Sequence, residues 1–303
     1  MPPLEIAGSL TASATESGPQ HLLLTVLGDY WFPHAHPAPS GVLVGLLGEF
    51  GMSEANTRAA LSRMSRRGLL DTGRQGRRTT YALSDSALRT LQDGTRRIFT
   101  FGDRDETWDG TWTIVLFSVP ESDRAVRSAL RVRLGWEGFA PMFDGVWVAP
   151  GVRDGQAAAL LAELEVTTAS VVVGHSSTHF PTGNPARAWD LTDIHDRYSR
   201  FAATFAPLDD PAVLARLGPR EAFLARTVLM DTWREFPAAD PELPRALLPD
   251  DWPLAEAHDR FTRIYDALGP AAEGHVRSLL AAHDDDLGAT VSHHTSRTAL
   301  TLC

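Results

Sequence analysis

Breakers and caps divide residues 19–97 into a fixed order of short elements, and that order limits the possible folds more than any other feature of the sequence. "PQHLLLTVLGDYWF" (19–32) is an apolar helical run. It ends in "PHAHPAPSG" (33–41), where three prolines exclude a helix. Ser40 is placed to cap a second helix, "GVLVGLLGEF", which Gly51 stops. After the turn Gly51-Met52, Ser53 is a good N-cap and Glu54 sits where the helix dipole favours an acid. The third helix is expected to run to about Gly68. Ala60, Leu61 and Met64 share one of its faces, while Arg58, Ser62, Ser65 and Arg66 project elsewhere. Next, two strand-like pieces (69–72 and 78–83) flank the loop Gly73-Arg74-Gln75-Gly76-Arg77, which predicts a β-hairpin. Ser84 then caps a helix to about Arg97. Helix, helix, turn, helix, hairpin is the order of a winged helix-turn-helix, expected over residues 19–98, in which the third helix enters the major groove.

Charge falls on this segment in a way the whole chain does not share. The formal net charge is −10, yet residues 53–78 hold seven arginines against Glu54 and Asp71. From residue 185 to the end the balance reverses, with nineteen acids against twelve arginines. Every basic side chain other than histidine is arginine, so arginine richness alone says little; its placement is what a polyanion would meet. Arginine forks contact guanine edges bidentately and hold phosphates at any sequence. The expected base readers are Asn56, Thr57, Arg58 and Ser62. The expected phosphate contacts are Arg63, Arg66, Arg67, Arg74, Arg77 and Arg78. A double-stranded DNA operator is the expected partner.

The remaining chain reads as two further parts. "TWTIVLFSV", the helix "SDRAVRSALRVRLGW", two strands about Asp144-Gly145, the helix "GQAAALLAELE" and the strand "TASVVVGH" give the order βαββαβ, a split ferredoxin-like unit over residues 108–181. From 185 to 283 the pattern is helical, interrupted by a proline-rich connector whose Leu243, Leu247, Leu248 and Trp252 call for burial. The expected class is therefore α+β in three domains, with a disordered leader over residues 1–18 and a flexible tail over 284–303. The leader has no basic region followed by an apolar core, so it does not read as a secretory signal. The single cysteine, Cys303, excludes an intramolecular disulfide and cysteine-based metal sites; the expected location is the cytoplasm.

Catalysis finds no support. The sequence holds no G-x-S-x-G, H-E-x-x-H, G-x-G-x-x-G or P-loop motif. The acid runs at 209–210, 250–251 and 284–286 read as caps, turns or solvated segments. His175 and His179 have i, i+4 spacing but fall in a loop without a fixed third ligand, so neither a metal nor a cofactor is expected. Trp189, Trp233 and Trp252 are core or cavity-lining candidates in the helical part.

Several stretches carry a family resemblance: "RAALSRMSRRGLL", "GRRTTYALS" and "GTRRIF" first, then the whole of 108–150, then "DPELPRALLPDDWP". Over about 20–280 the chain resembles the PaaX-like regulators of phenylacetic acid catabolism. The resemblance implies a homodimeric transcriptional regulator, usually a repressor, released by an aromatic acyl-CoA thioester. It also implies a middle domain like the CRISPR-associated nuclease subunit. Ser118 stands near the place of that nuclease's acidic metal ligand, which leaves a hard cation one oxygen short. Asp231 and Trp233 depart from the family pattern in the helical part, and Glu137 departs in the middle one. An anionic effector would need Arg226 or Arg234 to offset Asp231, which makes Trp189, Arg226, Trp233 and Arg234 the expected effector contacts. Two other readings stay open: a metal-dependent nuclease built on the middle domain, and a ligand-binding module without DNA.

Overall fold

A computed structural model describes residues 18–102, 107–176 and 185–302. Nearly all of the expected leader, and His179, lie outside the described residues. The described chain is mixed α and β, with two small antiparallel sheets and a helical C-terminal region. It divides into two compact units. The first holds Met1–Gly102, Tyr198–Ala238 and Pro253–Cys303; the second holds Asp103–Arg197 and Ala239–Trp252.

The first unit opens with α1 (Pro19–Tyr30), the two-residue strand β1 (Ala38–Pro39), α2 (Ser40–Gly48) and α3 (Glu54–Arg66). The hairpin β2 (Leu70–Gln75) and β3 (Arg78–Leu83) follows, then α4 (Asp85–Thr100). Strand order is β1-β3-β2. β1 lies inside the proline-rich break and pairs Ala38 with Tyr81, a strand too short for any periodic signal. The hairpin is longer than expected. Residues 73–75, read as loop, continue β2, and the turn is Gly76-Arg77 alone. Gly76 has φ +62°, the left-handed region in which a Cβ is strained. Ser40 is not a cap: Pro39 holds that position, and the Ser40 hydroxyl accepts from Arg58 instead.

The C-terminal helices α8 (Pro219–Trp233) and α9 (Leu254–Ala281) belong to the same unit as these N-terminal elements. Of residues 185–283, expected as one domain separate from 19–98, the stretches 198–238 and 253–283 thus belong with the N-terminal elements, and 185–197 and 239–252 with the second unit. α8 explains why. Eleven of its fifteen residues are buried, Arg226, Thr227 and Asp231 among them, so it is enclosed on every side. Its Phe223 meets Tyr30 of α1 at 5.9 Å and Phe50 at 5.4 Å. Trp233 stacks on Phe261 of α9 at 4.8 Å between centroids, and Phe201 of α7 (Thr192–Phe205) and Phe236 complete an aromatic cluster.

The tail is docked rather than flexible. Ser296 donates to Asp266 through both its backbone N–H (2.6 Å) and its hydroxyl (2.8 Å). The His293 N–H donates to Glu273 (2.8 Å). Thr295 caps the short helix α10 (Ser296–Thr301), and Val291 and Ala299 are buried. Isolated apolar anchors of this kind leave no periodicity to read in the sequence.

The second unit contains β4 (Thr111–Phe117), α5 (Arg124–Trp136), β5 (Ala140–Phe143), β6 (Val146–Pro150), α6 (Asp154–Glu163) and β7 (Ala169–His175). The sheet order is β5-β6-β4-β7, antiparallel throughout. Its core joins Val115, Phe117 and Trp147 of the strands to Leu130, Leu134, Leu160 and Leu161 of the helices. In the connector, Leu243 and Trp252 are buried as expected, while Leu247 and Leu248 are half-buried.

Candidate nucleic-acid interface

Local chemistry fixes where α3 begins and ends. The Ser53 hydroxyl accepts the Asn56 N–H at 3.2 Å, and Glu54 stands in the first turn. Arg63 and Arg66 occupy the last turn, where the dipole favours cations. Thr57, Ala60, Leu61 and Met64 are buried, a helical stripe of one residue in three or four. Thr57 is therefore not a base reader: it has no exposure, and its hydroxyl donates to the Ser53 carbonyl at 3.2 Å. The spacing 57, 60, 61, 64 is the signal for this in the sequence. Ala55, Asn56, Ala59, Ser62, Arg63 and Arg66 are exposed. Sequence reasoning passes over Ala55 and Ala59, yet small side chains let a helix backbone come close to a partner surface.

Arg58 is exposed but committed. Its Nε donates to Glu54 at 2.7 Å and its Nη1 to Ser40 at 3.2 Å. Ser65 and Thr72, their hydroxyls 2.9 Å apart, join α3 to β2 and run the hairpin beside the helix. Arg74 lies within β2, opposite Thr79, and Arg77 forms half of the turn. Both are exposed. Arg78 donates to the His283 carbonyl at 2.9 Å, which ties the turn end of the hairpin to the segment just past α9. Arg63, Arg66, Arg67, Arg74 and Arg77 have no ion pair among the described residues. Five exposed guanidinium groups on one helix, its following turn and one hairpin thus keep their charge for an outside partner.

The expected effector contacts do not converge. Trp189 belongs to the second unit and stacks on Trp112 at 6.2 Å. Trp233 is sealed in the aromatic cluster of the first unit. Arg226 has no exposure. It lies 3.6 Å from Asp29, donates to the His294 carbonyl at 2.7 Å, and rests 3.8 Å above the Tyr265 ring. Asp231 is offset by Arg234 at 2.9 Å, not by Arg226. Of the four, Arg234 lines a cavity of about 300 Å³ in the first unit.

The Arg226 neighbourhood is a buried polar network. Burial, opposed by Arg226, holds the Asp29 carboxyl above its ordinary value. Burial, reinforced by Arg226, pushes the His294 imidazole down to about 3. An unfolded histidine titrates near 6.5, so the unfolded chain takes up a proton there that the folded chain refuses. Stability should accordingly fall as pH drops below about 6.5 and keep falling towards about 3. From pH 7 to pH 5 this one group should cost about 2 kcal/mol. Urea unfolding of the wild type and His294→Gln at the two pH values checks this, with the smaller pH effect expected in the variant.

His175 is exposed at the end of β7, and no group of three or more His, Cys, Asp or Glu among the described residues could hold a metal. Ser118 follows β4, its N–H donating to the Thr168 carbonyl. No helix among the described residues is long and apolar enough to cross a membrane.

Three family models match in chain order. They are the PaaX-like protein model over residues 19–87, the PaaX protein central Cas2-like domain over 105–187, and the PaaX-like protein C-terminal domain over 189–278. Transcriptional repressor PaaX of Escherichia coli (strain K12) is 29% identical over 240 residues, which is 77% of this chain and 74% of the relative. Uncharacterized protein Rv0674 of Mycobacterium tuberculosis shares the fold, with a TM-score of 0.57 and 22% identity over 85% of this chain and 98% of that one. The class so defined is a transcriptional regulator and not an enzyme. The chain belongs to the PaaX-like family.

Proposed function

We propose that this regulator represses transcription by binding a specific duplex DNA operator as a homodimer in the cytoplasm, and that a small-molecule effector of the aromatic acyl-CoA type releases it. The first four helices and the hairpin act as a winged helix-turn-helix. α3 lies in the major groove, and the turn Gly76-Arg77 lies against phosphates or the minor groove. Asn56, Arg58 and Ser62 read base edges. Arg63, Arg66, Arg67, Arg74 and Arg77 hold the backbone. Arg78 retains part of its donor capacity for phosphate beyond its bond to His283. The second unit is read as ferredoxin-like, because its last strand pairs with its first, the first with the third, and the third with the second.

The observation that carries the reading is the set of five exposed arginines without an ion pair among the described residues, on a chain of net charge −10. Fluorescence anisotropy with the DNA upstream of the chain's own gene, in excess unrelated duplex, tests it. Saturable binding that survives the competitor is expected. Binding equally lost to either DNA would contradict sequence-specific recognition.

A further inference from the structure

The turn end of the hairpin and the segment just past α9 are the two walls of one pocket of about 330 Å³, both within the first unit. Gln75, Gly76, Arg77 and Arg78 line one wall; Asp284 and Leu287 line the other. Donors and cations thus face a carboxylate. Yet Asp284 forms no ion pair with Arg77 or Arg78 among the described residues. Its Oδ2 accepts instead from the Gln75 amide at 3.4 Å. Charge-assisted bonds are ordinarily about 2.7–2.9 Å, so this one is long and costs little to exchange.

The segment that carries the carboxylate is itself held in place. The Asp286 N–H donates to Asp284 Oδ1 at 3.2 Å, so Asp284 caps the 3-10 turn Asp285–Thr290. The Leu287 N–H donates to the Asp284 carbonyl at 3.1 Å, and the Leu287 side chain is buried. Arg78 grips the preceding carbonyl, that of His283. Gly41 in the first turn of α2 lets His283 approach: a Cβ there would stand 3.1 Å from His283 Nε2. A weakly bonded carboxylate on a fixed segment is a charge set beside the hairpin by the fold.

We propose that Asp284 is a built-in competitor of duplex phosphate: it lowers DNA affinity by occupying the Gln75 amide and by setting a negative charge against the turn end of the hairpin. The proposal rests on the DNA-binding reading above. A phosphate that docks on the hairpin needs the donors of Gln75, Arg77 and Arg78, which are all exposed. Entering the pocket, it meets the Asp284 carboxylate on the opposite wall. A pocket of that volume, if round, is less than about 10 Å across, within the Debye length at 0.1 M salt, so the repulsion is only partly screened. The phosphate has to take the Gln75 amide from Asp284, and the long bond there yields to it.

The test is fluorescence anisotropy of the full chain with the duplex upstream of its own gene, at about 50 and 200 mM salt. Asp284→Asn removes the charge and keeps an oxygen that can cap the turn. At the lower salt it should bind at least about threefold more tightly per protomer, about tenfold for the homodimer, with the thermal midpoint held. Asp284→Ser, which also keeps a capping oxygen, gives the same readout should Asp284→Asn not fold. The gain should shrink at the higher salt. It should vanish in a Gln75→Ala, Arg77→Ala background, where the donors under competition are gone. Asp259→Asn makes the same charge change at an exposed position of α9 about 33 Å along the axis from its end, and should leave affinity unchanged. Unchanged or weaker binding by Asp284→Asn, a gain that persists in the double-alanine background, or an equal gain from Asp259→Asn would each overturn the competition while leaving the DNA-binding reading in place. Failure of both the wild type and Asp284→Asn to bind any duplex would instead sink that reading, and the competition with it.

Discussion

Replacing Arg63, Arg66 and Arg77 together with alanine should weaken duplex binding at least about hundredfold near 0.1 M salt, with the melting temperature unchanged. Each phosphate that an arginine no longer neutralises takes about one unit from the dependence of log affinity on log salt, so the slope should flatten by about three per protomer, about six for the homodimer. The fold should be indifferent, because all three side chains are exposed and none has an ion pair among the described residues. Arg58 makes a contrasting case. Glu54 and Ser40 hold its guanidinium in one orientation, which suits base reading over phosphate holding. Arg58→Ala should therefore cost about 1–3 kcal/mol on the operator and much less on unrelated DNA. The fold of discrimination, measured on both duplexes, separates the two roles.

Arg226→Ala should destabilise the folded chain by about 3–5 kcal/mol, measured as a lower urea midpoint. The guanidinium bridges α8 to α1 and to the tail, and its removal leaves the buried Asp29 carboxyl without its neighbouring cation, with the Tyr265 hydroxyl as its remaining donor. The cost comes from the stranded partner more than from the missing attraction. An effector contact would behave otherwise, with the response to effector abolished and the urea midpoint kept. The same contrast applies to Trp233, whose ring contacts Phe101, Phe201, Phe236 and Phe261. Its change to alanine should open a core cavity at a cost of about 3–5 kcal/mol.

Local signals in the sequence locate most elements. Ser53 and Gly51 act within a few residues, so α3 is legible there, and Gly76 marks the turn, whereas Gly73 belongs to β2. The alternation of strand and helix in the second unit is legible for the same reason. What escapes depends on distant partners. β1 exists because β3 offers it a ladder. The tail is ordered because Asp266 and Glu273 on α9 receive it. Arg226 reads as a charge for a ligand and Asp231 as one that opposes an anionic ligand, although each is satisfied by a residue remote in the sequence or one turn away. Thr57 escapes for a different reason. Its periodicity with Leu61 and Met64 is visible, but a position near the start of the third helix also suits a base reader, and only burial decides between the two. Trp189 groups with Trp233 by sequence region, and the two belong to different units.

The most direct measurement is the affinity of the purified chain for the duplex upstream of its own gene, followed from about 50 to 200 mM salt for the wild type and for the triple arginine variant. Binding that falls by about a thousandfold or more across that range, with a slope flatter by about six for the dimeric variant, is the predicted result. A wild-type affinity indifferent to salt, or a variant that binds like the wild type, would contradict it.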